Sequence, residues 1–217
     1  MSSRADIQDI LDEFKEKDTV VRYDSYHDRK DGSKMWTSGS LSPVYKDGEL
    51  QWIVVVYSDI TQRKAFSDRL KRTNRNIVDS LNYAQTIQQA ILPEESRFEE
   101  LFKEYFVLYQ PRDIVSGDFY WLDSIGDYVI FSVVDCTGHG VPGGFMSMIG
   151  RILLRETCTV KNLRDPGVIL DEIDKGLVNV LKQTDDIDSN KDGMDLGVCV
   201  IDSRTNMLSY AGAMRPL

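Results

Sequence analysis

The spacing of apolar residues changes several times along this chain, and each change marks a different kind of element. Residues 5 to 17 place Ile7, Ile10, Leu11 and Phe14 on one face of a short helix. Three extended runs follow, Thr19 to His27, Lys34 to Ser42 and Leu50 to Ser58, separated by Asp31-Gly32 and Asp47-Gly48. Asp-Gly is a strong signal for a tight hairpin loop, so this stretch predicts an antiparallel meander. Three strands and one short helix make a small core, close to the limit of independent stability. From Ala65 to Leu92 the period becomes helical. Leu70, Ile77, Ala84 and Ile91 recur every seven residues, and Phe66 and Ile87 fall on the companion heptad row, which Thr73 and Ser80 weaken. Such a stripe predicts a parallel coiled-coil dimer through residues 65–92, ended by Pro93. A helix packed on its own domain is the alternative.

Beyond Pro93 the pattern mixes both periods. Phe106 to Gln110 reads as a strand, and Phe119 to Val134 as a hairpin around Gly126-Asp127. Pro142 opens a helix through about Thr157, with Phe145, Met148, Ile149, Ile152 and Leu153 on its apolar face, and a second helix covers Val168 to Lys182. Gln183 to Gly193 is a polar loop. Leu196 to Ile201 and Met207 to Ala211 then form a strand pair around Ser203-Arg204-Thr205-Asn206. The expected organisation is α+β in three parts: a sheet region at 1–63, a helical linker at 64–92, and a mixed domain at 93–217.

Composition narrows the function classes. With 41% hydrophobic and 28% charged residues, the chain has the balance of an ordinary globular protein. A net charge of -9 argues against nucleic acid or an anionic membrane as the main partner, because both need a basic surface. No apolar run approaches the roughly 20 residues of a membrane span, and the start lacks a signal-peptide pattern. Cys136, Cys158 and Cys199 are odd in number and widely spaced, which fits reduced thiols and a cytoplasmic setting.

The candidate chemistry lies in Ser116-Gly-Asp-Phe-Tyr-Trp121 and Asp135-Cys-Thr-Gly-His-Gly140. A loop at Gly126-Asp127 pairs Ile125 with Tyr128 and, counted outward, sets Asp118 beside Asp135 at the open end of the hairpin. Like charges facing each other are destabilising, and a cation between them removes the cost. A divalent metal site is therefore one reading; two solvated loop aspartates is the other. A loop one residue earlier would set Asp118 opposite Val133 instead. The glycines around His139 let the backbone turn sharply before a helix whose N-terminus favours anions. His139 itself is a candidate general acid or phosphate-orienting group, or a structural turn residue. Phe119 and Trp121 read as core. Asp188-Ser-Asn-Lys-Asp-Gly193 matches the start of a calcium loop, but Cys199 stands where a bidentate glutamate is needed, so a solvated loop is the better reading.

Four motifs together carry a family resemblance: Val115 to Trp121, Asp135 to Pro142, Asp192-Gly-Met-Asp195 and Ala211-Gly-Ala-Met-Arg-Pro-Leu217. In that order over residues 93–217, they resemble the sporulation stage II protein E-type serine phosphatases, within the metal-dependent PPM phosphatases. Arg29-Lys-Asp-Gly-Ser33, Trp36 and Ser58-Asp-Ile-Thr-Gln-Arg-Lys64 resemble the end of a PAS sensor domain. The resemblance implies a partial PAS meander, a helical linker and the N-terminal part of an αββα sandwich. It makes Asp118 and Asp135 ligands of two Mn2+ or Mg2+ ions, with Asp135 the bridge and the backbone carbonyl of Cys136 a further ligand. The implied reaction is in-line attack of a metal-bridged water on phosphoserine or phosphothreonine, without a phosphoenzyme. The implied partner is a phosphoprotein, an anti-sigma-factor antagonist by family analogy, and the heptad stripe over 65–92 adds a second copy of the chain.

Two features depart from that pattern. The family draws further metal aspartates from beyond the Ala211–Leu217 stretch, and the PAS-like part lacks its first strands, so both ends read as truncated. Asp192 and Asp195 precede that stretch and are not assigned as ligands. Weak metal binding and little turnover are expected of residues 1–217 alone. A sensor kinase is the rival enzyme, but its phosphorylatable histidine is absent from 65–92, the only histidines being His27 and His139. A non-catalytic dimeric interaction module is the rival from another class.

Overall fold

In the computed structural model, residues 21–184 and 191–216 are described. The helix expected over residues 5–17, the first two residues of the first strand run, and Asp188 to Asn190 of the calcium-like stretch lie outside them. The chain divides into two units, Met1–Ile77 and Val78–Leu217.

The first unit contains the meander that its Asp-Gly turns predict. Strands β1 (Val21–Asp28), β2 (Lys34–Lys46) and β3 (Glu49–Asp59) form an antiparallel sheet in that order. Asp47 and Gly48 both take positive φ, 53° and 84°, and Lys46 pairs directly with Glu49 across them. That geometry is the type I′ loop whose twist matches the strands it joins. The buried apolar core is small, Val21 and Leu41 with Tyr23 against them. Every residue of β3 is exposed, Trp52 to 71%. Helix α1 (Thr61–Ile91) starts here, its first turn tied back by an Ile60 amide bond to the Trp36 carbonyl and an ion pair from Lys64 to Asp24. Leu70 and Ile77 of the heptad row are exposed, as is Phe66 of the companion row.

The second unit is a four-stranded antiparallel sheet in the order β4-β5-β6-β7, comprising Phe119–Ile125, Tyr128–Cys136, Met194–Asp202 and Met207–Ala213. A short helix α2 (Glu95–Leu101) precedes it, and α3 (Gly140–Arg155) and α4 (Pro166–Leu181) intervene between β5 and β6. Inward residues alternate along the strands, Trp121, Ile130, Val134, Leu196, Val198 and Val200, as a half-covered sheet requires. They pack against Leu153 and Leu154 of α3 and Ile169, Ile173 and Leu177 of α4. Phe119 and Trp121 are core, as expected, and all three cysteines are buried and free.

Two elements differ from the sequence reading. Phe106 to Gln110 is not a strand; it runs as irregular chain with Phe106 89% exposed, because no strand edge among the described residues pairs with it. Helix α3 also buries only part of the expected face, Leu153 in the core and Ile149 against it. Phe145, Met148 and Ile152 are exposed, while Gly143, Gly144, Met146, Ser147, Gly150, Leu153 and Leu154 face inward. Backbone approach at the three glycines wins over side-chain hydropathy there. A five-residue π-helical turn, Glu156–Val160, continues α3 and buries Cys158. Helix α4 is closed at its start by Asp165, whose Oδ1 accepts from the amides of Gly167 (2.9 Å) and Val168 (3.1 Å), with Pro166 at the first helical position. Asp165→Ala should cost about 1 kcal/mol, read as a lower urea midpoint with an unchanged slope.

Candidate functional site

The β4–β5 register places the two aspartates together. Ile125 pairs with Tyr128 around Gly126, whose φ is 62°, and the ladder runs outward to Phe119 opposite Val134. The next position outward sets Asp118 beside Asp135, as the Gly126-Asp127 loop predicts. Because Phe119 and Val134 point into the core, their neighbours Asp118 and Asp135 point away from it.

The third strand adds a carboxylate that sequence reasoning left aside. Asp135 pairs directly with Asp195 on β6, and Asp118, one residue before β4, is hydrogen-bonded to Asp135, so three aspartates gather at one end of the sheet. The loop before β6 is pinned here as well: the Thr137 amide donates to the Gly193 carbonyl (2.9 Å), and the Gly193 amide to the Thr137 hydroxyl (3.0 Å). Arg215, just past β7, donates to Asp135 and lies 3.8 Å from Asp195. No sequence rule singled out Arg215. Its position relative to Asp135 depends on a strand pairing across more than fifty residues of helix and loop.

The electrostatics follow from this crowding. Burial, then the hydrogen bond and charge of Asp135, raise the Asp118 carboxyl above the usual carboxylate range, and Arg215 pulls the other way. A group raised in the folded state contributes stability that is full below its unfolded pKa, about 4, and is lost as pH rises through the folded value. In metal-free protein, Asp118→Asn should therefore be the more stable form at pH 7, by a few tenths to about 1 kcal/mol, with the gain absent at pH 3.5. Thermal unfolding in chelator at both pH values checks the sign.

Cys136 offers its backbone and not its sulfur. Burial first, and then the charges of Asp118 and Asp135, push its thiol up to about 12, and only a thiolate would be a good metal ligand. Its carbonyl faces the Asp118 loop: a Cβ added at Gly117 would lie 3.1 Å from that oxygen and 2.8 Å from the Gly138 carbonyl. Two carboxylates and a carbonyl are hard oxygen donors of the kind Mg2+ or Mn2+ takes. Among the described residues no group of three or more His, Cys, Asp or Glu side chains is arranged to hold a metal. The donors present fit one side of such a site, and the positive charge between Asp135 and Asp195 is that of Arg215.

His139 is the N-cap residue of α3 and is 70% exposed. Its Nδ1 lies 2.8 Å from Oδ2 of Asp113. His139 and Asp113 line the same cleft of about 290 Å3 as Arg112, Asp118 and Asp135. A larger cleft of about 810 Å3 adjoins Asp118, Asp135 and Arg215 on the outer sheet face. The segment around α2 forms its other wall through aromatic contacts, Phe98 and Tyr109 on Tyr120 (5.9 and 5.7 Å) and Phe102 on Phe131 (6.3 Å).

One solved structure shares both this arrangement of chain and much of the sequence. The chain is similar to the SiaA-PP2C domain of Pseudomonas aeruginosa, with 39% identity and a TM-score of 0.57 over 65% of this chain and 55% of that one. Over the matched part the fold is PP2C-like. The chain thus spans about half the length of the solved protein it matches. Neither the protein-family models nor the curated proteins contain a match.

Proposed function

We propose that this chain is part of a metal-dependent protein serine/threonine phosphatase of the sporulation stage II protein E type, with a PAS-like sensory unit before it. The observation that carries the reading is the Asp118–Asp135 pair, held across a hairpin on a fold 39% identical to a PP2C domain. Asp118, Asp135 and the Cys136 carbonyl would hold one side of a pair of Mn2+ or Mg2+ ions. Bound there, the ions would activate water and neutralise the transferring phosphoryl group. His139, whose Nδ1 lies 2.8 Å from Asp113 Oδ2, would give a proton to the departing serine or threonine oxygen. Arg112 lines the smaller cleft and Arg215 the larger one, and each would offer positive charge to a phosphoester there. The substrate is a phosphoprotein, an anti-sigma-factor antagonist by family analogy, and the three free cysteines suit a reducing, cytoplasmic setting.

The exposed heptad positions Leu70 and Ile77 of α1, with Phe66 of the companion row, are proposed to pair with a second copy of the chain. Ile77→Asp should then convert a dimer to a monomer in sedimentation equilibrium, with the sheet domain still folded by circular dichroism.

The phosphatase reading is tested by titrating residues 1–217 with Mn2+, followed by electron paramagnetic resonance, and by phosphate release from a phosphoserine peptide. So sparse a donor set predicts a dissociation constant of about 1 mM and slow turnover that chelation abolishes. Absence of both binding and Mn2+-dependent turnover at tenfold that concentration overturns the reading.

A further inference from the structure

Helix α1 buries one residue among those described, and that residue is Gln88. A helix exposing Phe66, Leu70, Ile77 and Tyr83 while burying a carboxamide inverts the usual preference. Burying an amide is costly unless its polar groups are paired. Here both ends are. Gln88 Oε1 accepts from the Ser116 amide at 3.0 Å, and Nε2 donates to the Ser116 carbonyl at 2.6 Å and to Ser147 Oγ at 2.8 Å. Ser147 in turn donates to the Gly144 carbonyl at 2.8 Å. Gln88 thus takes both backbone groups of Ser116, as a neighbouring strand would.

Ser116 passes the constraint on. Its Oγ accepts from the Asp118 amide at 3.0 Å, so the path from helix α1 to the peptide of Asp118 is two hydrogen-bonded steps. The loop has little room to yield. A Cβ at Gly144 on α3 would lie 2.3 Å from Val115 Cγ1, and one at Gly117 would strike the Gly138 and Cys136 carbonyls. The clasp is also discrete. Sliding α1 by one residue moves Gln88 by about 1.5 Å, enough to carry both Ser116 bonds beyond hydrogen-bonding distance.

We infer that Gln88 is the positioning residue for Asp118: the end of the long helix sets the placement of the first metal-site aspartate through the Ser116 peptide. The second part of the inference, that displacement of α1 changes divalent-ion affinity, rests on the phosphatase reading. The first part does not.

The test uses residues 1–217 and the variants Gln88→Ala, Gln88→Glu and Ser147→Ala, with amide exchange followed by NMR and Mn2+ titrated by paramagnetic resonance. Gln88→Ala should abolish protection at the Ser116 amide and reduce it at Asp118 at least tenfold, while Ile130 and Val198 in the sheet core keep theirs. It should also weaken Mn2+ binding about tenfold. Gln88→Glu is isosteric, keeps the acceptor for the Ser116 amide and loses the donor to its carbonyl; an intermediate loss is expected, and this variant decides the matter if the alanine form does not fold. Ser147→Ala leaves both Ser116 bonds in place and should change Mn2+ affinity less than twofold. Unchanged Asp118 protection in Gln88→Ala overturns the inference. So does a Ser147→Ala effect as large as that of Gln88→Ala, because the role would then be packing alone. If the unsubstituted chain shows neither Mn2+ binding nor Mn2+-dependent turnover, the phosphatase reading fails, and Asp118 amide exchange still decides whether Gln88 positions the loop.

Discussion

Asp135→Asn is expected to reduce Mn2+-dependent phosphate release by about 10^3-fold and to remove Mn2+ binding, with the fold intact. Asp135 is the middle carboxylate of three, between Asp118, one residue before β4, and Asp195 on β6. Its side chain is 52% exposed and points away from the core, so an isosteric amide leaves the packing undisturbed. What it removes is a full negative charge where a divalent ion would bridge. Losing about 4 kcal/mol of transition-state stabilisation corresponds to the stated factor, each 1.36 kcal/mol being tenfold. The same change removes the like charge that raises Asp118, and it leaves Arg215 facing Asp195 alone. The metal-free variant should therefore melt at the same temperature as the unsubstituted chain or slightly above it. Retention of more than a tenth of the Mn2+-dependent turnover would contradict the bridging role. A lowered metal-free melting temperature would instead show Asp135 to be a structural ion-pair partner of Arg215.

How much of this arrangement could be read from the chain depended on the range of the interaction. The Asp118–Asp135 register was legible because a two-residue loop fixes it locally, and the structure places Gly126 at the positive φ such a loop needs. The meander of the first unit was legible for the same reason. Asp195 was not: its partner on β5 is set by a connection carrying α3 and α4, and no turn chemistry specifies that register. On helix α3 the reading held for Ile149 and Leu153 and failed for Phe145, Met148 and Ile152, because hydropathy gives glycine no weight, whereas Gly144 and Gly150 approach Val115 and Phe119 more closely than any side chain would allow. Gln88 was invisible for a related reason. A glutamine beside a heptad row looks solvated, and only the backbone groups of Ser116, distant in sequence, make its burial favourable. His139, singled out by its glycine-flanked turn, does reach the cleft, and its partner Asp113 lies in a segment with no periodic signal.

Gly117→Ala carries the second large effect, and its origin is space rather than backbone conformation. Gly117 does not occupy the left-handed region, but a methyl there would lie 2.8 Å from the Gly138 carbonyl and 3.1 Å from the Cys136 carbonyl. Both obstacles are backbone, one belonging to the candidate ligand after Asp135. Gly143 crowds the same oxygen, since a Cβ there would lie 2.7 Å from the Gly138 carbonyl and 3.0 Å from Gly117. The methyl can be accommodated only if the Asp118 loop and the Cys136–Gly138 turn move apart, which separates the donors of the proposed site. Overpacking of this kind should cost about 1–3 kcal/mol of stability, and misplaced ligands should weaken Mn2+ binding by about 10- to 100-fold. Gly126→Ala provides the contrast. Nothing lies within 4 Å of a Cβ at Gly126, so its positive φ alone should cost roughly 1 kcal/mol and leave Mn2+ binding unchanged. Thermal unfolding combined with Mn2+ titration separates the two variants. If Gly117→Ala binds Mn2+ as well as Gly126→Ala does, the close approach of loop and turn does not set the ligand spacing.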